Sequence, residues 1–91
     1  MSKLHDVWSA LSDPTRRKIL TLLRARNLTA GEIADQFDMT KPSISHHLGI
    51  LKEAGLVTSE KKGQQVEYAI ETTVFEDILS FAAHLAQRGG D

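Results

Sequence analysis

Apolar residues recur at three- and four-residue intervals along most of this chain, and at every second residue in one stretch past its middle. Leu4, Val7, Trp8 and Leu11 share one helical face, which predicts a first helix over Lys3 to Leu11. Ser12-Asp13-Pro14 restarts the chain: Ser12 or Asp13 can cap a helix, and Pro14 suits a first helical position. The second helix runs to about Arg26, with Ile19, Leu20, Leu22 and Leu23 inward and Arg17, Thr21 and Arg24 outward. Thr29 followed by Glu32 reads as a capping box that opens a short third helix, whose apolar face is Ile33, Ala34 and Phe37. Asp38-Met39 make a turn, and Thr40 with Pro42 starts a fourth helix.

After Gly55 the period changes from 3.6 to 2. Val66, Tyr68 and Ile70 alternate with Gln65, Glu67 and Ala69 as a half-buried strand. Leu56 to Lys61 is its partner, and Lys62-Gly63-Gln64 supplies the turn. Thr73 and Glu76 read as another capping box before a last helix carrying Val74, Phe75, Ile78, Leu79, Phe81, Ala82, Leu85 and Ala86. The predicted order is α-α-α-α-β-β-α. This is a mainly α winged helix-turn-helix with a small β-hairpin, in a single domain over residues 1–91 that ends in Gly89-Gly90-Asp91.

Composition narrows the class. With 91 residues the chain suffices for one small domain, which buries a modest share of its surface and gains from dimerisation. There is no cysteine, hence no disulfide and no thiolate metal site. No apolar run approaches the ~20 residues of a membrane span, and the N-terminal apolar residues are too interrupted for a signal peptide. The expected location is cytoplasmic. The net charge of -1 argues against nucleic acid, but its distribution argues the other way. Residues 1–26 carry six basic and two acidic side chains, and residues 66–91 one basic and five acidic. Patches steer ligands more than totals do.

The fourth helix concentrates the candidate chemistry. At about 100° per residue, Ile44, Leu48 and Leu51 cluster on one side, and His47, Ile50 and Ala54 widen that arc. Pro42, Ser45, His46, Gly49 and Glu53 face away from it, flanked by Lys41 and Lys52. Short polar side chains suit a major groove: serine bonds either base type, and histidine donates to guanine or phosphate. Gly49 removes a side chain where a duplex could come close. His46 is expected to contact DNA. His47 fits packing and hydrogen bonding better, and Ser43 lies between the two sets. The alternative is an ordinary solvated helix face.

At the hairpin tip, Lys61, Lys62, Gln64 and Gln65 surround Gly63, a basic loop able to reach phosphates or the minor groove. The bland reading is a loop kept soluble by lysine. Arg17 is outward by phase and is counted with the DNA-binding set. Arg16 could touch a phosphate or pair with Asp13. No Ser-His-Asp, paired-carboxylate or phosphate-loop arrangement occurs, so no enzyme is expected, and no cofactor.

With these residues in view, the chain resembles the ArsR/SmtB family of bacterial winged-helix repressors. The resemblance rests on SDPTRRKILTLL (12–23), LTAGEIADQF (28–37), KPSISHHLGILKEAGLV (41–57) and KKGQQVEYAI (61–70). SDPTRRKIL with KPSISHHL is most similar to the metal-blind, SdpR-like autorepressor branch. The resemblance implies a homodimer that binds double-stranded DNA at an inverted repeat and represses transcription. It implies that Lys41, Ser43, Ser45 and His46 face DNA and that the wing around Gly63 touches backbone. It also implies that the first and last helices form the dimer interface. The apolar arcs agree, naming Leu4, Val7, Trp8 and Leu11 with Val74, Ile78, Phe81 and Leu85. The alternative is that these residues complete one core.

The sequence departs from the family's metal sensors. No cysteine lies near Thr29 to Ala34, and the last helix offers only Asp77 and His84, about 10 Å apart along its axis. Antiparallel chains could bring Asp77 to the partner's His84, with His5 nearby. A metal- or ligand-responsive repressor and a protein-protein interaction module are the rival functions. The inducing signal is open: a small molecule, a sequestering protein or none.

Overall fold

The computed structural model describes residues 2–87, with side chains from His5 onward. Its elements are α1 (Ser2–Leu11), α2 (Pro14–Ala25), β1 (Leu28–Thr29), α3 (Ala30–Asp35), α4 (Lys41–Glu53), β2 (Val57–Lys62), β3 (Gln65–Ile70) and α5 (Thr73–Ala86). The side chain of Leu4 and the terminal Gly89-Gly90-Asp91 lie outside the described residues.

Local chemistry sets most boundaries. Asp13 caps α2 through Oδ2, which accepts from the Arg16 backbone N–H at 3.0 Å. Ser12 instead donates to Ser9 O at 2.7 Å. Thr29 and Glu32 form the expected capping box, and Thr40 Oγ1 caps α4 by accepting from Ser43 N. Each such cap contributes roughly 1 kcal/mol. At the far end of α4, Gly55 takes φ 80°, and Gly55 N and Leu56 N donate to Lys52 O and Leu51 O, each at 3.0 Å. That is a Schellman motif, closed by the contact pair Leu51 and Leu56, both fully buried.

Two expectations are corrected. A short strand, β1, lies between α2 and α3 and pairs antiparallel with β3 through Leu28↔Tyr68 and Thr29↔Glu67. The sheet is therefore three-stranded, in the order β1-β3-β2. The capping box at Thr73 does not form: the N-cap is Thr72, with no side-chain cap bond. Glu71 Oε1 accepts from Thr73 N and Oγ1 instead, at 3.1 and 3.0 Å.

The hairpin runs in register from Val57↔Ile70 to Lys62↔Gln65. Its turn has positive φ only at Gly63, the first of two turn positions. The core is made of Val7, Ala10, Ile19, Leu20, Leu23, Leu28, Ile33, Ala34, Ile44, Leu48, Leu51, Ala54, Leu56 and Val57. It packs α1 to α4 together and roots the hairpin through Leu56 and Val57. The last helix is different: it buries no residue fully. Val74, Phe75 and Ile78 lean on the core, while Leu79, Phe81 and Leu85 are exposed. The molecule is elongated, 54 Å against 24 and 23 Å across.

Candidate nucleic-acid interface

The buried side of α4 is fixed by Ile44, Leu48 and Leu51, all fully buried. That fixes what the helix shows outward. Lys41, Pro42, Ser45, His46, Gly49 and Lys52 are all exposed, as is Glu53, and Ser43 is half-buried. A Cβ built at Gly49 meets nothing within 4 Å, so the helix surface there is open to close approach. Lys41 runs beside Gly31 at the start of α3, its Cε 3.6 Å from a Cβ built there. The exposed face of α4 also forms one wall of an open groove of about 850 Å³, which reaches Asp6 and Ser9 of α1. Asp6 and Glu53 make that flank acidic. Lys52 lies on that same flank, Lys41 shares the other with Asp35 and Asp38, and Lys61 and Lys62 lie on the wing.

The wing is less free than its lysines suggest. Lys62 Nζ is 3.0 Å from Glu67 Oε1, and Glu60 lies directly across from Glu67 in the ladder. The hydrogen bond to Glu67, its charge and that of Glu60 raise the Lys62 pKa, so the ammonium stays charged. Lys61, Gln64 and Gln65 are exposed and carry no ion pair among the described residues. Lys52 Nζ donates to Ser59 Oγ at 2.7 Å, which ties α4 to β2.

The paired arginines of α2 serve the end of α1. Arg17 is exposed as its phase requires, and its Nη1 donates to Leu11 O at 2.8 Å. The Arg16 guanidinium does not pair with Asp13 among the described residues. Its Nε donates to Ala10 O at 2.9 Å, its Nη2 to Ser9 O at 3.2 Å, and its Nη1 lies 3.1 Å from His47 Nδ1. The last carbonyls of a helix lack partners within it and carry the negative end of its dipole, so cations suit them. The His47 side chain is 14% exposed, whereas its neighbour His46, whose ring centroid is 5.7 Å away, is exposed. The Arg16 hub was not legible in the sequence, because its partners come from α1 and α4. Phe37, under the ammonium of Lys18 at 5.4 Å, marks where α2 meets the turn of the helix pair.

One interface expectation needs correction. Val7 is 1% exposed and belongs to the core of its own protomer, so it has no surface to offer a second copy. Leu11, Val74 and Ile78 are partly buried against that core. Trp8, Phe81 and Leu85 are exposed at 46, 51 and 65%, and Leu79, which the phase analysis did not select, at 70%. Asp77 and His84 are exposed on α5. Among the described residues no three His, Asp or Glu side chains are grouped to hold a metal ion. No described helix is long and apolar enough to cross a membrane.

A short helix, a turn, a second helix with an exposed polar face and a hairpin with lysines at its tip define a winged helix-turn-helix. Comparison with known proteins gives the family. Residues 13–59 match the model of the bacterial regulatory protein arsR family. The chain is 46% identical over 86 residues to the transcriptional repressor SdpR of Bacillus subtilis (strain 168), covering 94% of this chain and 96% of that one. A crystal structure of an ArsR family transcriptional regulator superposes with a TM-score of 0.86 at 34% identity, over 91% of each chain. An ArsR-like transcriptional regulator from Rhodococcus sp. RHA1 gives a TM-score of 0.86 at 30% identity, over 92% of this chain and 77% of that one. The chain belongs to the arsR family of bacterial regulatory proteins. It is a DNA-binding transcriptional regulator and not an enzyme.

Proposed function

We propose that the protein is a repressor that binds an inverted-repeat operator as a homodimer in the cytoplasm, its own promoter among its targets. In this reading α4 enters the major groove. Ser45 and His46 meet base edges, Gly49 allows close approach, and Pro42 and Ser43 sit at the helix entry. Lys41, Lys52, Arg17, Lys61, Lys62 and Gln64 meet backbone phosphates. The observation that carries it is the open surface over Gly49, beside Ser45 and His46 on the exposed face of α4.

The exposed Leu79, Phe81 and Leu85 of α5, with Trp8 of α1, support the homodimer. So much apolar surface on a chain this small is better covered than wet. Two-fold symmetry then places the two α4 helices about 34 Å apart, one DNA turn. The autorepressor part follows the resemblance of SDPTRRKIL and KPSISHHL.

Operator binding measured over a salt series tests the reading. Affinity should fall steeply with ionic strength, because each neutralised phosphate releases counterions. Lys41→Ala with His46→Ala should remove specific binding while the dimer persists. Unchanged operator affinity in that double variant would show that α4 is not the reading element.

A further inference from the structure

The Arg16–His47 contact lies away from the DNA-facing side of α4 and concerns a different question: what sets the tilt of that helix. A guanidinium only donates hydrogen bonds. For the 3.1 Å contact with Arg16 Nη1 to be a hydrogen bond, His47 Nδ1 has to be its acceptor, which requires the tautomer with the proton on Nε2. The same guanidinium holds Ser9 O and Ala10 O at the end of α1. One side chain thus joins α1, the start of α2 and the middle of α4.

We infer that Arg16 and His47 are the positioning residues that hold α4 against α1, and that a proton on His47 opens this contact and weakens operator binding. This rests on the DNA-binding reading above. With a proton on Nδ1, imidazolium and guanidinium would stand 3.1 Å apart as two cations, both donors. The acceptor at hand for the new N–H is Asp13 Oδ2, 4.0 Å away. The ring gives up Arg16 and turns toward Asp13, and α4 shifts with it.

The charged groups facing His47 are Arg16 from α2 and Asp13 from the turn before it. The end of α1 presents the Ser9 and Ala10 carbonyls, both held by Arg16, and Asp6 of α1 faces α4 across the groove shared with His46 and Ile50. On α4 itself the neighbour is the ring of His46. No charged side chain of α3 or β2 bonds or pairs with His47 among the described residues. Asp13 remains an anion at neutral pH: the Arg16 backbone N–H above all, and then the charge of Arg16, outweigh burial and hold its carboxyl below the ordinary range.

His46 makes the sign diagnostic. It lies on the DNA-facing side, where a proton adds a cation beside phosphates and strengthens binding. Protonation of His47 acts in the opposite sense.

The test is operator affinity for the full chain, at constant ionic strength, from about pH 8 to about pH 5.5, the range in which imidazoles change charge. His47→Asn keeps an acceptor where Nδ1 stands but does not titrate. The expected result is that acidification lowers wild-type affinity about tenfold relative to His47→Asn, which keeps His46. Identical profiles for the two proteins, or wild-type affinity that rises relative to His47→Asn on acidification, would overturn the inference.

The ¹⁵N shift of His47 Nδ1 at pH 8 gives a reading independent of DNA and of any variant's folding. An unprotonated, acceptor-type nitrogen is expected; a protonated one contradicts the contact. Tight operator binding with the same profile in wild type and His47→Asn removes this inference alone. Absence of operator binding at every pH removes the DNA reading together with it.

Discussion

Lys52 Nζ and Ser59 Oγ meet at 2.7 Å, joining the last turn of α4 to the first strand of the wing. Both candidate DNA-contacting elements thus share one side-chain bond beyond their common core. An ammonium has three donors, so two remain for a phosphate after Ser59 takes one. Lys52→Ala should weaken operator binding evenly across DNA sequences and lower the salt slope by about one contact. Ser59→Ala should cost less and leave the slope unchanged. A larger loss from Ser59→Ala would show that Lys52 acts through the tie alone.

Gly49 separates fold from function cleanly. An alanine Cβ there meets nothing within 4 Å, and alanine is the better helix former by about 0.5–1 kcal/mol. Gly49→Ala should therefore raise thermal stability slightly, and Gly49→Leu should leave the fold intact. Operator affinity should drop in both, more for leucine. If Gly49→Leu binds like wild type, the duplex does not approach this part of α4.

Asp13 couples stability to acid. Its carboxyl is held below the ordinary 3.8, foremost by the Arg16 backbone N–H at the start of α2. A carboxyl that is more acidic when folded contributes stability above the unfolded value and loses it as pH falls through the folded one. Asp13→Ala should lose about 1 kcal/mol at neutral pH, as caps do. Asp13→Asn, with an oxygen acceptor but no charge, should lose less. It should also show a shallower decline of stability below about pH 4 than wild type. Urea unfolding at both pH values reads this directly, and parallel declines would mean that Asp13 is not the acid-sensitive group.

The α5 surface carries the dimer proposal. Leu79 and Leu85 are 70 and 65% exposed, so replacing them disturbs little inside one protomer. Leu79→Asp with Leu85→Asp should turn the wild-type dimer into a folded monomer in sedimentation velocity, and operator affinity should fall with it. A double variant that still sediments as a dimer would place the interface elsewhere.

The sequence foretold what rests on local chemistry. The capping box of Thr29 and Glu32, the Thr40 cap, the alternation through Val66 to Ile70 and the split between Ile44, Leu48 and His46 are all contained in a few neighbouring residues. What it hid is non-local. Strand β1 has only Leu28 and Thr29 and exists because β3 lies beside it. The role of Arg16 depends on carbonyls in α1 and a ring in α4. Val7 has the same helical phase as an interface residue, and only packing reveals that its own core takes it. The Thr73 capping box was a false positive because Glu71, two residues earlier, binds Thr73 first. Lys62 counted as free charge until the strand register put Glu67 within reach.

The most direct test of the central claim, that the outer face of α4 reads DNA as one half of a symmetric pair, is selection of bound sites from random duplexes. The account predicts an enriched inverted repeat whose half-site centres lie about one helical turn apart, lost when Lys41→Ala and His46→Ala are combined. Recovery of no common sequence by the wild-type protein, or of the same repeat by the double variant, would contradict it.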